Sequence, residues 1–207
     1  RSCACGRISA MSSRPLGRNT RRTSRSARCD NGDGITGTIM MSAARIISTA
    51  FVGAVGRDSA GRRIEETLTG AGVNIDYISR VEAPTGRAYV QLTPDGENSI
   101  TVMALANHQL LLEDAVAALE RLEPSLVLAQ LEVPKEVTIA VAKWCHERKV
   151  RFVFNPSPAQ TRMGATISNA DPLIVNHAEA QAILGTGSDD PSSLARQLAD
   201  HFNSVVL

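Results

Sequence analysis

Three polar residues fall where short apolar runs end. Glu132 closes SLVLAQLE (125–132), Asn155 closes RFVFN (151–155) and Asn176 closes PLIVN (172–176). An open parallel sheet binds its ligands outside the carboxyl ends of its strands, so these three residues would share one edge. Each taken alone suits a helix cap or a loop; together they favour a polar cleft. A carboxylate presents two oxygens to a diol, so Glu132 suits the vicinal hydroxyls of a sugar. The stretch PLIVNHAEAQAILG (172–185) adds a second polar group to the same edge. Asn176 and Glu179 stand one helical turn apart where a strand hands over to a helix, and both can face the mouth of the sheet.

Other groups with the right letters lack the right context. GDGITG (32–37) matches Gly-x-Gly-x-x-Gly, but it follows an Arg/Ser-rich segment with no strand ahead of it, which argues against a dinucleotide fingerprint. No Gly-x-x-x-x-Gly-Lys-Ser/Thr loop occurs. Cys3 and Cys5 have one residue between them and no Cys-x-x-Cys or His pair downstream, so a zinc site is not indicated. Cys145 lies in a helical segment and reads as a small core or near-surface residue, not a nucleophile. His146, His177 and His201 have no mutual metal spacing and read as surface residues.

The elements that must position this edge follow an alternating pattern from Arg45 onward. IISTAFVGAV (46–55) is a strand. DSAGRRIEETLTGAG (58–72) is a helix with Ile64 and Leu68 on one face and Gly70 and Gly72 at its close. SLVLAQLE leads through Pro134 into KEVTIAVAKWCHERK (135–149), with Val137, Ala140, Val141 and Trp144 on the buried side. RFVFN, PLIVN and the start of a strand at SVVL (204–207) complete the series. Strands alternating with amphipathic helices imply βαβ units and a mostly parallel, Rossmann-like sheet. One insertion interrupts it: RAYVQLT (87–93) and NSITVMA (98–104) flank Pro94-Asp95-Gly96-Glu97 and read as a projecting hairpin.

Composition bounds the rest. Of 207 residues 43% are hydrophobic, enough for one sizeable core, and no apolar run is long enough to span a bilayer. The net charge of +1 conceals an asymmetry. The first 28 residues carry eight Arg and no acid, which leaves 14 basic against 21 acidic residues in the body. A leader so rich in Arg and Ser is expected to be disordered. It contains no aromatic residue to stack on bases, which argues against a nucleic-acid arm. A transit peptide and sequence foreign to the fold remain open. The expectation is a soluble cytoplasmic protein that binds neither nucleic acid nor membrane.

Six segments carry a resemblance: FVGAVGRDSAGRRIEETLTGAGVN, APTGRAYVQLTPDGENSITV, LANHQLLLED, LVLAQLEVP, FVFNPSPA and IVNHAEAQAILG. Their order and spacing resemble the ribokinase-like family of carbohydrate kinases over about 43–207, with 1–42 a non-matching leader. The resemblance implies a three-layer α/β domain, incomplete here, with a β-hairpin lid near 83–105 that is often shared between the subunits of a homodimer. It implies phosphoryl transfer from ATP with Mg2+ to a sugar hydroxyl, D-ribose to ribose 5-phosphate foremost, with a monovalent cation such as K+ as a further cofactor. Carried over residue by residue, Glu132 contacts the sugar, Asn176 and Glu179 form the Asn-x-x-Glu motif serving nucleotide phosphates and the magnesium shell, and Asn107 approaches the substrate. An amide near a helix N-terminus suits phosphate, and a carboxylate suits magnesium-bound water.

The departures shape the expectation too. Residues 1–41 contain neither the family's sugar-binding Asp nor its Gly-Gly-Lys-Gly-x-Asn segment, which suggests a shifted reading frame or a damaged gene model. The Gly-Ala-Gly-Asp segment with the anion hole and catalytic Asp is expected beyond position 207, so this chain alone is expected to be nearly inactive. Two alternatives are another sugar or nucleoside kinase of the same family, and a non-catalytic fragment whose hairpin serves as an interaction module.

Overall fold

The computed structural model describes residues 2–3, 8–15, 47–92, 98–158 and 168–207. Strand β3 (Ile47–Gly56) shows how the sequence builds the layers. Its residues from Thr49 to Gly56 are all buried, as expected of a strand covered on both faces. Phe51 and Val55 pack with Leu68, Val73 and Ile78 on one side. Val52 and Ala54, one step out of phase, enter a larger core with Leu119, Val127, Val141, Phe152, Phe154 and Leu173. A strand that feeds two cores requires helices on both faces, which is the expected three-layer α/β arrangement.

Helix α1 (Ser59–Gly70) follows β3 and supplies Leu68 to the smaller core. It closes at Ala71, and Gly72 takes the left-handed conformation (φ 84°) that lets the chain turn into β4 (Asn74–Val81). The hairpin strands β5 (Arg87–Leu92) and β6 (Asn98–Met103) pair antiparallel, with Tyr89 opposite Thr101 and Leu92 opposite Asn98. The four-residue turn between them lies outside the described residues, as does GDGITG. A short 3-10 turn (Leu105–Gln109) and α2 (Leu112–Leu122) lead to β7 (Leu126–Gln130). Then come α3 (Lys135–Arg148), β8 (Arg151–Asn155), β9 (Ala170–Ile174), α4 (His177–Leu184), α5 (Pro191–Ala199) and β10 (Val205–Val206). Helix α3 buries Val137, Val141 and Trp144 as the pattern predicts, and also Thr138, Ala142 and Cys145, while Ala140 is half-buried. Cys145 is a core residue, and burial pushes its thiol up to about 12.

The expectation of a disordered leader fails over Ile8–Pro15, which forms strand β2. The main sheet has the order β10-β9-β8-β7-β2-β3-β4, and β2 runs antiparallel to both of its neighbours. The physical reason lies in those neighbours. Buried strands β3 and β7 each present a row of backbone N–H and C=O groups that must be paired. Ile8 to Met11 meet Val52 to Thr49 on one side and Ala129 to Leu126 on the other. Ser2–Cys3 forms a two-residue strand, β1, on the hairpin, pairing with Tyr89 and Ala88 of β5. The other main-sheet pairs are parallel, so β3, β7, β8 and β9 all end at one edge.

Candidate active site

Strand order brings the ends of β7, β8 and β9 side by side, and their terminal polar side chains join. Gln130 Nε2 donates to Asn155 Oδ1 at 2.8 Å. Asn155 Nδ2 donates to the Ile174 carbonyl at 2.9 Å and lies 3.4 Å from Glu179 Oε2. The same Glu179 oxygen accepts from the backbone N–H of Asn176 at 2.9 Å, while Asn176 Oδ1 accepts from the Glu179 N–H at 2.8 Å. Asn176 and Glu179 therefore form a reciprocal capping box at the start of α4.

That geometry sharpens the roles open to the pair. The cap occupies Asn176 Oδ1 and Glu179 Oε2; among the described residues Asn176 Nδ2 and Glu179 Oε1 have no protein partner. Glu179 is 5% exposed and held in place, whereas Asn176 is exposed at the edge. One spare N–H donor and one spare carboxylate oxygen sit beside the positive end of a helix. Phosphate asks for the first, and a hydrated divalent cation accepts the second. Among the described residues no cluster of three or more His, Cys, Asp or Glu side chains could hold a metal ion. Glu179 Oε1 could thus serve as a single carboxylate contact to a hydrated cation, not as one wall of an all-protein cage.

Glu132 lies two residues past Gln130, half-buried, on the same edge as this network. Asn107 lies elsewhere, in the 3-10 turn at the root of the hairpin, and is 2% exposed. Its Nδ2 is buried and has no hydrogen-bond partner among the described residues. Gly86 makes room for it: a Cβ there would lie 2.7 Å from Asn107 Nδ2 and 2.8 Å from Oδ1. His177 stands off from the network, with its Nε2 3.8 Å from Asp189. A cavity of about 670 Å3 lined by Cys145, Arg151 and Asp171 opens near the starts of β8 and β9, away from this edge.

Two parts of the arrangement escape the sequence reading. Gln130 carries a signal, because residues two apart on a strand share a face and Gln130 precedes Glu132 by two. The second is an anchor beneath the hairpin. Asp58 caps α1 by accepting from Gly61 N (2.8 Å), and it also accepts from Thr85 N (3.0 Å) and Thr85 Oγ1 (2.6 Å). Thr85 Oγ1 in turn accepts from Gly56 N at 2.9 Å. The end of β3, the start of α1 and the root of the hairpin are thus tied at one point.

The comparisons with known proteins match this architecture. A family model, pfkB family carbohydrate kinase, matches residues 32–207. The chain belongs to that family. Ribokinase of Bacillus subtilis is 36% identical over 146 residues, covering 69% of this chain and 50% of that protein. The structure of Arabidopsis thaliana ribokinase complexed with ribose and ATP aligns over 80% of this chain and 56% of that one, with 28% identity and a TM-score of 0.66. Giardia lamblia ribokinase aligns over 75% and 51%, with 30% identity and a TM-score of 0.64. The chain spans about half the length of the curated relatives it matches. The ribokinase structures share the α/β arrangement described above.

Proposed function

We propose that this chain carries the sugar-contacting and phosphate-contacting edge of an ATP-dependent sugar kinase, with D-ribose as the acceptor. The observation that carries the reading is the capping box of Asn176 and Glu179. Among the described residues it leaves one donor and one carboxylate oxygen without protein partners, on the same sheet edge as Glu132. In this reading Asn176 Nδ2 donates to a nucleotide phosphate, Glu179 Oε1 accepts from water on Mg2+, and Glu132 accepts from two ribose hydroxyls. Magnesium would supply charge neutralisation across the phosphates. Asn107 holds a buried donor without an acceptor among the described residues, a costly state that a substrate hydroxyl would relieve. The relatives named ribokinase, one of them seen with ribose and ATP, support ribose over other acceptors.

Calorimetric titration of the chain with D-ribose, adenosine and fructose 6-phosphate tests the substrate. Ribose is expected to bind in preference, and Glu132→Gln is expected to weaken it about tenfold, the scale of a hydrogen bond to a charged group. Binding of adenosine or fructose 6-phosphate without ribose would overturn the choice of sugar. Ribose affinity unchanged in Glu132→Gln would overturn the role of Glu132.

The hairpin supports a further part of the proposal, a homodimer. Tyr89 (43% exposed) and Met103 (38%) lie on one face of the β5–β6 ladder, where large apolar side chains gain by being covered. Light scattering is expected to give twice the chain mass, and Tyr89→Asp the mass of one chain. A monomeric wild-type chain at micromolar concentration would exclude the interface.

A further inference from the structure

We infer that Asn155 is a positioning residue for Glu179, braced from the other side by Gln130. The inference rests on the proposed role of Glu179 beside a hydrated cation.

Its basis is the direction of the Asn155 amide. The Ile174 carbonyl can only accept, so the end of Asn155 that lies 2.9 Å from it must be the NH2. The same nitrogen lies 3.4 Å from Glu179 Oε2, which therefore faces a donor. The opposite end, Oδ1, accepts from Gln130 Nε2 at 2.8 Å. Reversing the amide would set its oxygen against the Ile174 carbonyl and the Glu179 carboxylate, and its NH2 against that of Gln130. Only one orientation satisfies all three neighbours. In that orientation Oε2 is held by two donors, Asn155 Nδ2 and the Asn176 N–H, and Oε1 is left as the group available to a ligand.

The chain of contacts runs from β7 through β8 to the start of α4. It joins the strand that ends at Gln130, two residues before Glu132, to the residue assigned to the metal shell. Asn155 touches neither ligand in this reading; it acts by fixing the carboxylate that does. Partners that orient a metal-contacting group typically change metal affinity tenfold or more when removed.

Asn155→Asp distinguishes positioning from mere support of the fold. Asp keeps the shape and the acceptor for Gln130, but sets a carboxylate oxygen where the donor was, against Glu179. Two carboxylates so close share a proton, and the apparent pKa of the pair rises. A cation must then displace that proton, so its affinity acquires a pH dependence that an amide at 155 does not confer.

The test is Mn2+ binding in the presence of ADP by the full chain, read from the electron paramagnetic resonance of free Mn2+ at pH 5.5 to 8 (roughly the range of a raised carboxylate pair). Melting curves confirm that each variant is folded. The expected result is loss of binding in Glu179→Gln, about tenfold weaker binding in Asn155→Ala, and in Asn155→Asp an affinity that climbs with pH more steeply than wild type. If Glu179→Gln abolishes binding while both Asn155 variants match wild type at every pH, Asn155 does not position the carboxylate and the role of Glu179 stands. If Glu179→Gln binds as wild type does, or wild type does not bind, the reading of Glu179 fails and the inference with it.

Discussion

Phe154→Ala is expected to cost about 3–5 kcal/mol of folding stability, the range for truncating a buried aromatic residue. Phe154 is fully buried and stacks on Phe152 with ring centroids 5.5 Å apart. Its backbone pairs with Ala129 of β7 on one side and Leu173 of β9 on the other, and both partners are fully buried as well. No flexible or exposed neighbour lies along that row to fill the cavity, so relaxation recovers little. A domain of this size has about 5–15 kcal/mol in total, and the loss would consume much of it. The substitution also reaches the site, because the next residue is Asn155. Urea unfolding measures the cost. A loss below about 1.5 kcal/mol would show that the centre of the β7–β9 layer is not packed as described, and Phe154→Leu, which leaves a smaller cavity, is expected to cost clearly less.

The same row shows how much of the fold is legible from residue types. RFVFN reads as a strand from 151 to 155, and the observed strand has those bounds, because β-branched and aromatic residues crowd a short run between helices. PLIVN is displaced: β9 begins at Ala170 and ends at Ile174. Pro172 reads as a strand start, yet here it lies inside one, and Asn176 is left outside the strand as the cap of α4. Strand β4 carries no clear signal. It alternates exposed and half-buried positions with only Ile78 buried, as a strand at the sheet edge does. Helix α5 is absent from the sequence reading although it follows the rule, with Asp190 as cap, Pro191 after it and Leu194 and Leu198 on one face. What no local pattern carries is β2, since its place depends on the unpaired edges of β3 and β7, more than thirty residues away in sequence.

For the site, types and spacing place the residues on an edge but not the bonds among them. Asn176 and Glu179 read as a phosphate and metal pair, with a helix cap or loop as the plain alternative for Asn176. The structure has the capping box, and its geometry leaves one polar side-chain atom of each residue outside the cap. Asn155 reads as a polar strand end; its place between Gln130 and Glu179 depends on β8 lying between β7 and β9. Asp58 and Thr85 are 27 residues apart, and only tertiary structure joins them.

Asp58→Ala is expected to cost about 2–4 kcal/mol, summing the loss of a helix cap and the stranding of Thr85, which is 1% exposed. The loss also reaches the hairpin. Thr85 is followed by Gly86, against which Asn107 packs, and by Arg87, the first residue of β5. Without the anchor, amide hydrogen exchange in β5 and β6 is expected to rise more than in β7 and β8. The bond from the Thr85 hydroxyl holds the Asp58 carboxyl down at about 2, against the opposing effect of burial, with the Gly61 and Thr85 N–H groups and Arg87 adding to the lowering. A carboxyl with its pKa lowered in the folded state stabilises the fold fully above the ordinary value of 3.8 and loses that contribution as pH falls toward 2. Discounted for the partial exposure of the side chain, the linked contribution is about 1–2 kcal/mol. Asp58→Asn keeps an acceptor for the helix cap and removes the titration. Its stability is therefore expected to fall less steeply than wild type between pH 4 and pH 2, about the window set by the two values. Equal slopes for the two proteins, measured by urea unfolding across that window, would mean that the charge on Asp58 does not hold the hairpin root.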